Sequence, residues 1–314
     1  MSMTLEAVNA PATTLTVTNL DELRVAHTGS FRSAATRNAY SSDLDAFVDF
    51  ATSHGAAAFP ARRVLIDAWC RHMESQVDEH GRRILSDATI SRRLGALSSL
   101  HRYAVDEGLI EANPVSNVRR PARSDESTTQ GLTRNEARRL IAEADAMGER
   151  TALLVRLLLH NGLRVSEALG IRVDDIFEQG DHLVVKITGK GNRPKVAPLN
   201  APTRRALEVV VADRPGTDFV LQTAKGTPLD RHNVSKLVAT LATRCGISKR
   251  ISPHSLRHTA ITVALDAGVP LHIVQDFARH ADPRTTRRYD LNANRLDEHA
   301  AYTLADQFDP EGSE

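Results

Sequence analysis

The sequence is poor in aromatic residues and in cysteine. Phe, Trp and Tyr account for 4% of the 314 residues, which argues against a protein that binds single strands by stacking bases on aromatic rings. Cys70 and Cys245 are its two cysteines. They are too few for a disulfide framework or a cysteine metal site, so we expect a reducing, cytoplasmic setting.

Long apolar runs and a large net charge are also missing. The longest apolar stretch, 153–159, is interrupted by Arg156, so we expect no membrane-spanning helix. The N-terminus is rich in threonine and lacks the charged and then apolar order of a secretory signal. The formal net charge is +1, which by itself does not point to nucleic acid.

The positive charges are nevertheless unevenly distributed. The range 82–102 carries five arginines against one aspartate, and 244–265 carries no acidic residue. Beyond Tyr289 the sign reverses, with seven acids against the single Arg295. A solvated face explains any one basic run, but two basic regions and an acidic tail favour one DNA-facing side. The candidate DNA contacts in the first region are Arg82, Arg83, Arg92, Arg93 and Arg102.

The chain length predicts two domains, of which the first is expected to be all-α. Residues 1–33 show no firm periodicity and are expected to be flexible. Apolar residues then recur at helical spacing and predict about four helices over 34–118, the last ended by Asn113-Pro114. The series are Tyr40, Leu44, Phe47 and Ala51, then Leu65, Trp69, Cys70 and Met73, then Ile90, Leu94, Leu97 and Leu100.

Residues 119–131 are polar and poor in apolar side chains, which predicts a linker. Arg119 and Arg120 at its start are candidate contacts to DNA phosphates, with an ordinary solvated hinge as the alternative.

The second domain, 132–314, is expected to be α+β. It opens with Thr133 and Glu136 at capping-box spacing. Helices are expected over 153–160, ended by Gly162, and near 232–245. The ranges 182–187 and 193–199 predict a small antiparallel hairpin.

A cationic helix start is predicted at Ser252 and Pro253, a capping hydroxyl followed by a proline suited to the first turn. His254, Arg257 and His258 fall in the first two turns on one face, where free amides attract anions. The apolar series Leu256, Ala260, Val263 and Ala267 is expected to anchor the helix in a core.

A second helix, about 271–280, ends at His280. Asp282-Pro283 interrupts the chain, Thr285 or Thr286 is expected to cap a short helix, and Tyr289 follows. Taken singly, His258 and Tyr289 would be ordinary packing residues. Together, cations, imidazoles and a phenol are what transfer of a phosphodiester to a hydroxyl nucleophile requires.

Two further sites fit such chemistry. Arg164 comes directly after the helix that Gly162 ends, and Glu167 three residues later can orient it for bidentate phosphate binding, with a structural ion pair as the alternative. Lys190 lies at the glycine-flanked hairpin tip and, because lysine can give up its proton, is the candidate general acid. Lys186 and Lys195 are expected to be surface residues or backbone contacts. The sequence has no Gly-x-x-x-x-Gly-Lys-Ser/Thr motif, so a nucleotide-triphosphate site is not expected.

These motifs resemble those of the tyrosine recombinase (phage integrase) family, of the simple two-domain, Xer-like type. The boxes are Pro-His-Ser-Leu-Arg-His at 253–258, His280 with Tyr289 nine residues on, Gly-Leu-Arg-Val-Ser-Glu-Ala-Leu at 162–169, and Gly-Lys-Gly at 189–191. They occur in the family's order, and the similarity extends from about 34 to 305.

The resemblance implies a fold that is mainly α. An all-α, SAM-like core-binding domain at 34–118 would precede an α+β catalytic domain with a small antiparallel sheet. It also implies the catalytic set, with Tyr289 as nucleophile and Glu167 in support: Arg164, Lys190, His254, Arg257, His280 and Tyr289.

The implied reaction is site-specific recombination of double-stranded DNA through a 3′-phosphotyrosine and a Holliday junction. It needs neither metal, ATP nor another cofactor. The implied assembly is a tetramer on two DNA sites, built from this chain alone or with a related recombinase. Integration or excision of an element and resolution of dimers both remain open.

The chain departs from the family pattern at two places. Ala278-Arg279-His280 replaces the usual Leu-Gly-His, and Asp290 follows the tyrosine. A helix is expected over 291–308, docking either on a neighbouring protomer or on its own domain.

Other classes of function are weighed against this reading. His254 and His258 could bind a metal, but Ser255 and Leu256 between them supply no glutamate base. A DNA-binding regulator without catalysis would lack part of the set, whereas here every catalytic position is filled. A topoisomerase of the same chemistry would act without site preference.

Overall fold

The computed structural model describes residues 20–121, 130–188, 194–280, 282–287 and 289. Contacts between Cα atoms divide the chain into two compact units, Met1–Ser124 and Asp125–Glu314. Helices dominate both, and the second contains a three-stranded sheet. The predicted fold class, mainly α with a small antiparallel sheet, is confirmed. Every described helix is too short or too polar to cross a bilayer.

The described part of the first unit is a helical bundle. Ser33 and Ser86 cap two of its helices, each accepting a hydrogen bond from the amide three residues on. Most of the predicted apolar series meet in one core, where the rings of Phe47 and Trp69 pack with centroids 4.9 Å apart. The helices are α1 (Leu20–Gly29), α2 (Ala34–Ser53), α3 (Arg63–Ser75) and α4 (Asp87–Asp106).

The start of this unit differs from the prediction. Residues 20–29 form α1 rather than a flexible segment, because Leu23 and His27 are buried against α2 and α4. A helix of about three turns with two buried residues is too short for its periodicity to stand out in the sequence.

The end of α4 also differs from the prediction. The helix ends at Asp106, and Gly108 two residues later has a φ of +72°. Asn113 therefore does not end a helix. Its Nδ2 donates a hydrogen bond to the carbonyl oxygen of Ser98 (3.0 Å), which fastens the chain back onto α4.

The second unit surrounds a small sheet with helices. The sheet consists of β1 (Ile176–Gln179), β2 (His182–Thr188) and β3 (Pro194–Pro198), antiparallel and in that order. β2 and β3 form the predicted hairpin, whose tip 189–193 lies outside the described residues. β1 was not predicted, because it is mostly exposed and lacks an apolar alternation.

The helices of the second unit frame the site described below. Those before the sheet are α5 (Arg134–Ala146), α6 (Glu149–Leu159) and α7 (Val165–Leu169), and a 3₁₀ turn, Val173–Asp175, leads into β1. Those after it are α8 (Ala201–Val211), α9 (Arg231–Arg244), α10 (Pro253–Asp266), α11 (Leu271–Ala278) and α12 (Pro283–Arg287).

α6 is the central helix of this unit. Leu153, Leu154 and Leu158 are fully buried, and the helix packs against α5, α8 and α10. A helix that is apolar nearly all round belongs inside a core. It begins at Glu149, earlier than predicted. It ends before Gly162, whose φ of +56° agrees with the predicted helix stop.

The buried face of α10 is only partly the predicted one: Leu256 is buried as expected, but the rest of its apolar series is not. Ala260 and Val263 line an apolar groove of about 550 Å³ beside α5 and α11, and Ala267 at its edge is exposed. The helix is instead buried around its first turns, where it contacts α6, α9 and α11, so apolar spacing alone did not reveal the face. The buried residues are Leu256, Arg257, His258, Thr259 and Ile261.

Candidate active site

The N-terminus of α10 is capped as the sequence predicts. The hydroxyl of Ser252 accepts a hydrogen bond from the amide of Ser255 (3.3 Å), and Pro253 occupies the first turn. His254 is exposed, whereas Arg257 is 1% exposed. An exposed imidazole and a buried guanidinium therefore share the helix end that attracts anions.

Backbone carbonyls hold Arg257 in place. Its Nη1 donates a hydrogen bond to the carbonyl oxygen of Gly162 and its Nη2 to that of Ala278. Burial and the neighbouring charges of Arg164 and Arg279 lower its pKa to about 10, so Arg257 stays charged at neutral pH. Each Nη keeps a second N–H for another acceptor.

A buried carboxylate gathers three guanidinium groups. Glu167 accepts hydrogen bonds from the amide (2.8 Å) and Nη1 (2.7 Å) of Arg164. Its Oε2 lies 3.5 Å from Nε of Arg279 and 4.0 Å from Nη1 of Arg257. Burial alone would raise the pKa of Glu167, but the Arg164 amide and the charge of Arg279 outweigh it and hold the pKa below its usual range. The carboxylate thus fixes the arginines relative to one another.

Tyr289 is buried between two imidazoles. Its side chain is 6% exposed, and its ring centroid lies 4.8 Å from that of His258 and 5.9 Å from that of His280. The planes of Tyr289 and His280 are 23° apart. Ile261 packs in the same apolar cluster. The buried Arg257 directly precedes His258 on α10, and Tyr289 is among the groups that act to raise the pKa of Arg257.

His280 lies directly after α11, where the sequence places it. Its Nδ1 is 2.9 Å from Oγ1 of Thr286, within hydrogen-bond distance. Burial and the charges of Arg257 and Arg164 lower the pKa of His280 to about 4. At neutral pH the imidazole is therefore neutral and able to accept a proton.

The short helix α12 begins differently from the prediction. It starts at Pro283, and the carboxylate of Asp282 accepts a hydrogen bond from the amide two residues on (2.9 Å). Thr285 and Thr286, expected to cap the helix, lie inside it. Proline suits a first helical turn, which moves the start ahead of both threonines.

His258 was not assigned a catalytic role from the sequence, yet it contacts the tyrosine ring. It is buried, and its Nδ1 lies 3.3 Å from Oγ1 of Thr262. Burial, followed by the charge of His254, lowers its pKa. Its spacing of four residues from His254 was the available signal, but the same spacing fits a metal pair.

The cluster suits an anion better than a cation. Three guanidiniums face one carboxylate, which leaves an excess of positive charge around Glu167. The described residues contain no group of three His, Cys, Asp or Glu placed to bind a metal ion. A phosphodiester, with two non-bridging oxygens, matches such donors.

Comparison with known proteins agrees with this geometry. A model of the phage integrase family matches residues 130–295, and a model of the phage integrase N-terminal, SAM-like domain matches 30–108. The chain belongs to the phage integrase family. The predicted resemblance is thereby confirmed.

Relatives of this integrase-family chain match over most of its length. Tyrosine recombinase XerD of Caulobacter vibrioides is 32% identical over 275 residues, 82% of this chain and 86% of the relative. XerD of Corynebacterium glutamicum is 30% identical over 274 residues, 82% of this chain and 87% of the relative.

Solved structures share the fold at lower identity. The XerH site-specific recombinase bound to palindromic difH substrate, a post-cleavage complex, has a TM-score of 0.66 at 18% identity and covers 91% of this chain and 82% of its own. The Tn1549 transposon integrase with circular intermediate DNA has the same TM-score and identity, over 90% and 98% of the two chains.

Three features predicted from the sequence fall outside the described residues: Lys190, Asp290 and the helix expected over 291–308. Lys186 on β2 and Lys195 on β3 are exposed, as expected of surface residues.

Arg279 lies in the site although the family's usual residue there is small. Its guanidinium is 7% exposed and donates a hydrogen bond from Nη2 to the carbonyl oxygen of Gly162 (2.9 Å). His280 still packs against Tyr289, so the bulkier neighbour is accommodated without displacing the imidazole.

Most candidate DNA-contacting arginines of the first unit are engaged by carboxylates. Arg82 pairs with Asp78 (3.0 Å) and Arg83 with Asp87 (2.9 Å). Arg92 and Arg93 both face the buried Asp43. The remaining candidates are exposed: Arg102, Arg119 and Arg120.

Proposed function

We propose that this chain is a site-specific DNA recombinase in which Tyr289 is the nucleophile. Its phenol oxygen forms a bond to phosphorus, and the bond from phosphorus to the 5′ oxygen breaks. The products are a 3′-phosphotyrosine and a free 5′ hydroxyl. Attack by the 5′ hydroxyl of another strand reverses the step and rejoins DNA, so the phosphodiester energy is conserved and neither ATP nor metal is used.

The observation that carries this proposal is the burial of Tyr289 between the rings of His258 and His280, with the buried Arg257 next to His258 on α10. A phenol with a free pKa of about 10 is a poor nucleophile unless a base accepts its proton. His280, stacked on the Tyr289 ring, is the candidate acceptor, because the negative charge of a bound phosphate would raise its pKa from the low value of about 4 in the DNA-free protein. His254 at the exposed start of α10 positions the phosphate.

Two arginines bind the non-bridging oxygens as negative charge develops. Arg164 is 42% exposed and uses one face for Glu167, which leaves donors for a phosphate. Arg257 is held by two carbonyls and needs no rearrangement to act. Preorganised donors are most effective where charge builds in the transition state. Lys190 is proposed to protonate the departing 5′ oxygen.

The two units divide the work. Duplex binding is assigned to residues 34–118, which follow an N-terminal segment, 1–33. The proposed linker is 119–131, and the proposed catalytic domain is 132–314. Arg102, Arg119 and Arg120 are the strongest candidates for phosphate contacts. The other four arginines, although three of them are also exposed, have carboxylate partners. Strand exchange through a Holliday junction requires a tetramer on two sites, acting in the cytoplasm.

Covalent capture tests the proposal on a DNA mixture in which the protein itself selects its site. The protein is incubated with sheared genomic DNA of its host, denatured, and retained on a filter that binds protein. We expect retained fragments that share one sequence, and a Tyr289→Phe variant that retains none. Phenylalanine keeps the ring between His258 and His280, so folding is preserved.

The same assay separates the other candidate functions. Adducts spread over unrelated sequences would indicate a topoisomerase. Specific binding of native DNA without any adduct would indicate a regulator that lacks catalysis. Adducts that persist in Tyr289→Phe would assign the nucleophile to another residue.

A further inference from the structure

Arg279 adopts a backbone conformation that is unfavourable for its residue type. Its φ is +54°, and among the described residues it shares a positive φ outside glycine with Asp213 at +57°. In this left-handed region the Cβ of an L-residue crowds the following carbonyl oxygen. Glycine has no Cβ and avoids that contact. An arginine at this position needs other interactions that offset the steric cost.

The compensation comes from buried contacts of the guanidinium. Nη2 donates hydrogen bonds to the carbonyl oxygens of Asn161 (3.3 Å) and Gly162 (2.9 Å). Nε lies 3.5 Å from Oε2 of Glu167, and both side chains are less than one-tenth exposed. A buried charge is costly unless it is paired. Arg279 is therefore held by the loop before Arg164, through two carbonyls, and by α7, through Glu167.

These contacts join two segments that carry candidate catalytic groups. Arg279 caps the end of α11, and the next residue is His280. Gly162 and Glu167 flank Arg164, which directly precedes α7. The guanidinium therefore bridges the turn before His280 and the loop before Arg164.

We propose that Arg279 is a positioning residue for DNA cleavage: it locks the turn that presents His280 onto the loop that presents Arg164, through Gly162 and Glu167. That this site cleaves DNA rests on the function proposed above. Arg279 is proposed to act through these buried contacts and not by binding DNA itself. Its charge adds a second effect, since it acts on the neighbouring imidazole.

The environment of His280 fixes the sign of that electrostatic effect. Burial lowers its pKa most, followed by positive charge from the arginines and then from His254. Loss of one positive charge favours protonation, so removal of Arg279 raises the pKa of His280. The charged and titratable groups near His280 are Arg164 and Glu167 at α7, His254, Arg257 and His258 on α10, Arg279 after α11, and Tyr289 after α12.

The first test needs no DNA. Histidine carbons are labelled, His280 is assigned by a His280→Gln variant, and its titration is followed by NMR. We expect Arg279→Gly to raise the pKa of His280 by roughly half a unit or more, and Arg279→Lys, which keeps the charge, to leave it nearly unchanged. Glycine suits the left-handed conformation, so Arg279→Gly is expected to fold. An unchanged His280 titration in Arg279→Gly would overturn the electrostatic part.

The second test measures single-turnover adduct formation on a captured DNA site across pH. Arg279→Gly is expected to slow adduct formation at least tenfold and to move the acid limb to higher pH. Arg279→Lys should keep the acid limb at its native pH but retain only part of the native rate. A single ammonium cannot bridge Gly162 and Glu167 as the forked guanidinium does. A native rate of adduct formation in Arg279→Gly would overturn the positioning role. So would equal losses of rate in Arg279→Gly and Arg279→Lys with the acid limb of both profiles at its native pH.

Asp213→Gly is the matched control. It relieves the same backbone conformation at an exposed position, so it should leave the adduct rate and the His280 titration unchanged. A change as large as that of Arg279→Gly would trace the effect to backbone relief and refute the proposal. If the native protein forms no adduct, the proposed function fails, while the NMR result still decides whether Arg279 acts on His280.

Discussion

The guanidinium of Arg257 donates a hydrogen bond to the carbonyl oxygen of Gly162, 95 residues earlier in the chain. Arg279 donates to the same oxygen, and Arg164 follows two residues later. The carbonyl of Gly162, shortly after α6, is therefore shared by two of the three arginines of the site. Because its φ is +56°, the conformation of Gly162 decides where that oxygen points.

Replacement of Gly162 by alanine should damage both stability and the site. The new Cβ would lie 2.8 Å from Cε1 and Cζ of the Phe277 ring, in addition to the cost of the left-handed conformation. We expect a loss of about 2–4 kcal/mol, which combines the backbone cost and overpacking. Urea unfolding monitored by circular dichroism measures it.

Gly180 provides the control for this variant. Its φ is +59°, but a Cβ there would meet nothing within 4 Å. Gly180→Ala should therefore cost about 1 kcal/mol, the backbone cost alone. Equal losses in Gly162→Ala and Gly180→Ala would show that Phe277 yields freely and that the contact is unimportant.

Neutralising Glu167 should leave buried guanidiniums without compensation. Glu167→Gln is expected to destabilise the protein by about 3 kcal/mol, the cost of breaking a buried ion pair. The half-exposed Arg164 contributes little of this because solvent screens it. Glu178→Gln, at an exposed carboxylate 3.8 Å from Arg204, should change stability by less than about 0.5 kcal/mol. Comparable losses in both variants would contradict a special role for Glu167.

The pH dependence of stability offers an independent check on Glu167. Its pKa is lowered in the folded protein, so its contribution is complete above the unfolded value near 4.5 and is lost as pH falls through the folded value. Glu167→Gln should therefore flatten the acid side of the stability profile below about pH 4.5. An unchanged acid slope would contradict the lowered pKa.

The sequence predicted the long elements of the fold well because their periodicity extends over several turns. The apolar series of α2, α3 and α4 recur where the helices form, and β2 and β3 are strand-like runs of sequence on either side of a glycine-containing segment. α1 and β1 escaped prediction because each is short and has few buried residues. Burial of His27 in α1 depends on aromatic partners from other helices, which local spacing cannot reveal.

The assembly of the site was only partly accessible from the sequence. Motif order placed Arg164, Arg257, His280 and Tyr289 in one unit. The sharing of one carboxylate by three arginines was not predictable, because those contacts join α7, α10 and the end of α11 through tertiary packing. Arg279 in particular adopts a conformation typical of glycine, and its identity gives no indication of that.

Acid should weaken the first unit through His27. The imidazole is 2% exposed, its Nε2 lies 2.9 Å from Oγ of Ser99, and burial lowers its pKa to about 4. Between pH 6.5 and about 4 this imidazole is protonated in the unfolded chain but not in the folded protein. The free energy of unfolding therefore falls as the pH is lowered through this range, by about 3 kcal/mol in total. His27→Phe should remove this part of the slope. Fluorescence of Trp69, the single tryptophan, reports on this unit.

The comparison variant for His27 is His80→Gln. His80 is exposed, so its replacement should leave the slope between pH 6.5 and 4 as in the native protein. A residual slope is expected in His27→Phe as well, since burial also lowers the pKa of His101. A slope that is identical in His27→Phe and the native protein would contradict protonation of His27 as its source.

The hydroxyl of Thr259 should be required to fasten the start of the second domain to α10. Its Oγ1 accepts a hydrogen bond from the amide of Leu132 (2.7 Å) and donates one to the carbonyl oxygen of Ser255 (2.8 Å). Thr259→Val leaves a buried amide unpaired, at a cost of about 1–3 kcal/mol. Thr259→Ser keeps both hydrogen bonds and should cost less than about 1 kcal/mol. Hydrogen exchange at the Leu132 amide should speed up in the valine variant alone; equal exchange in both variants would show that the hydroxyl does not hold this segment.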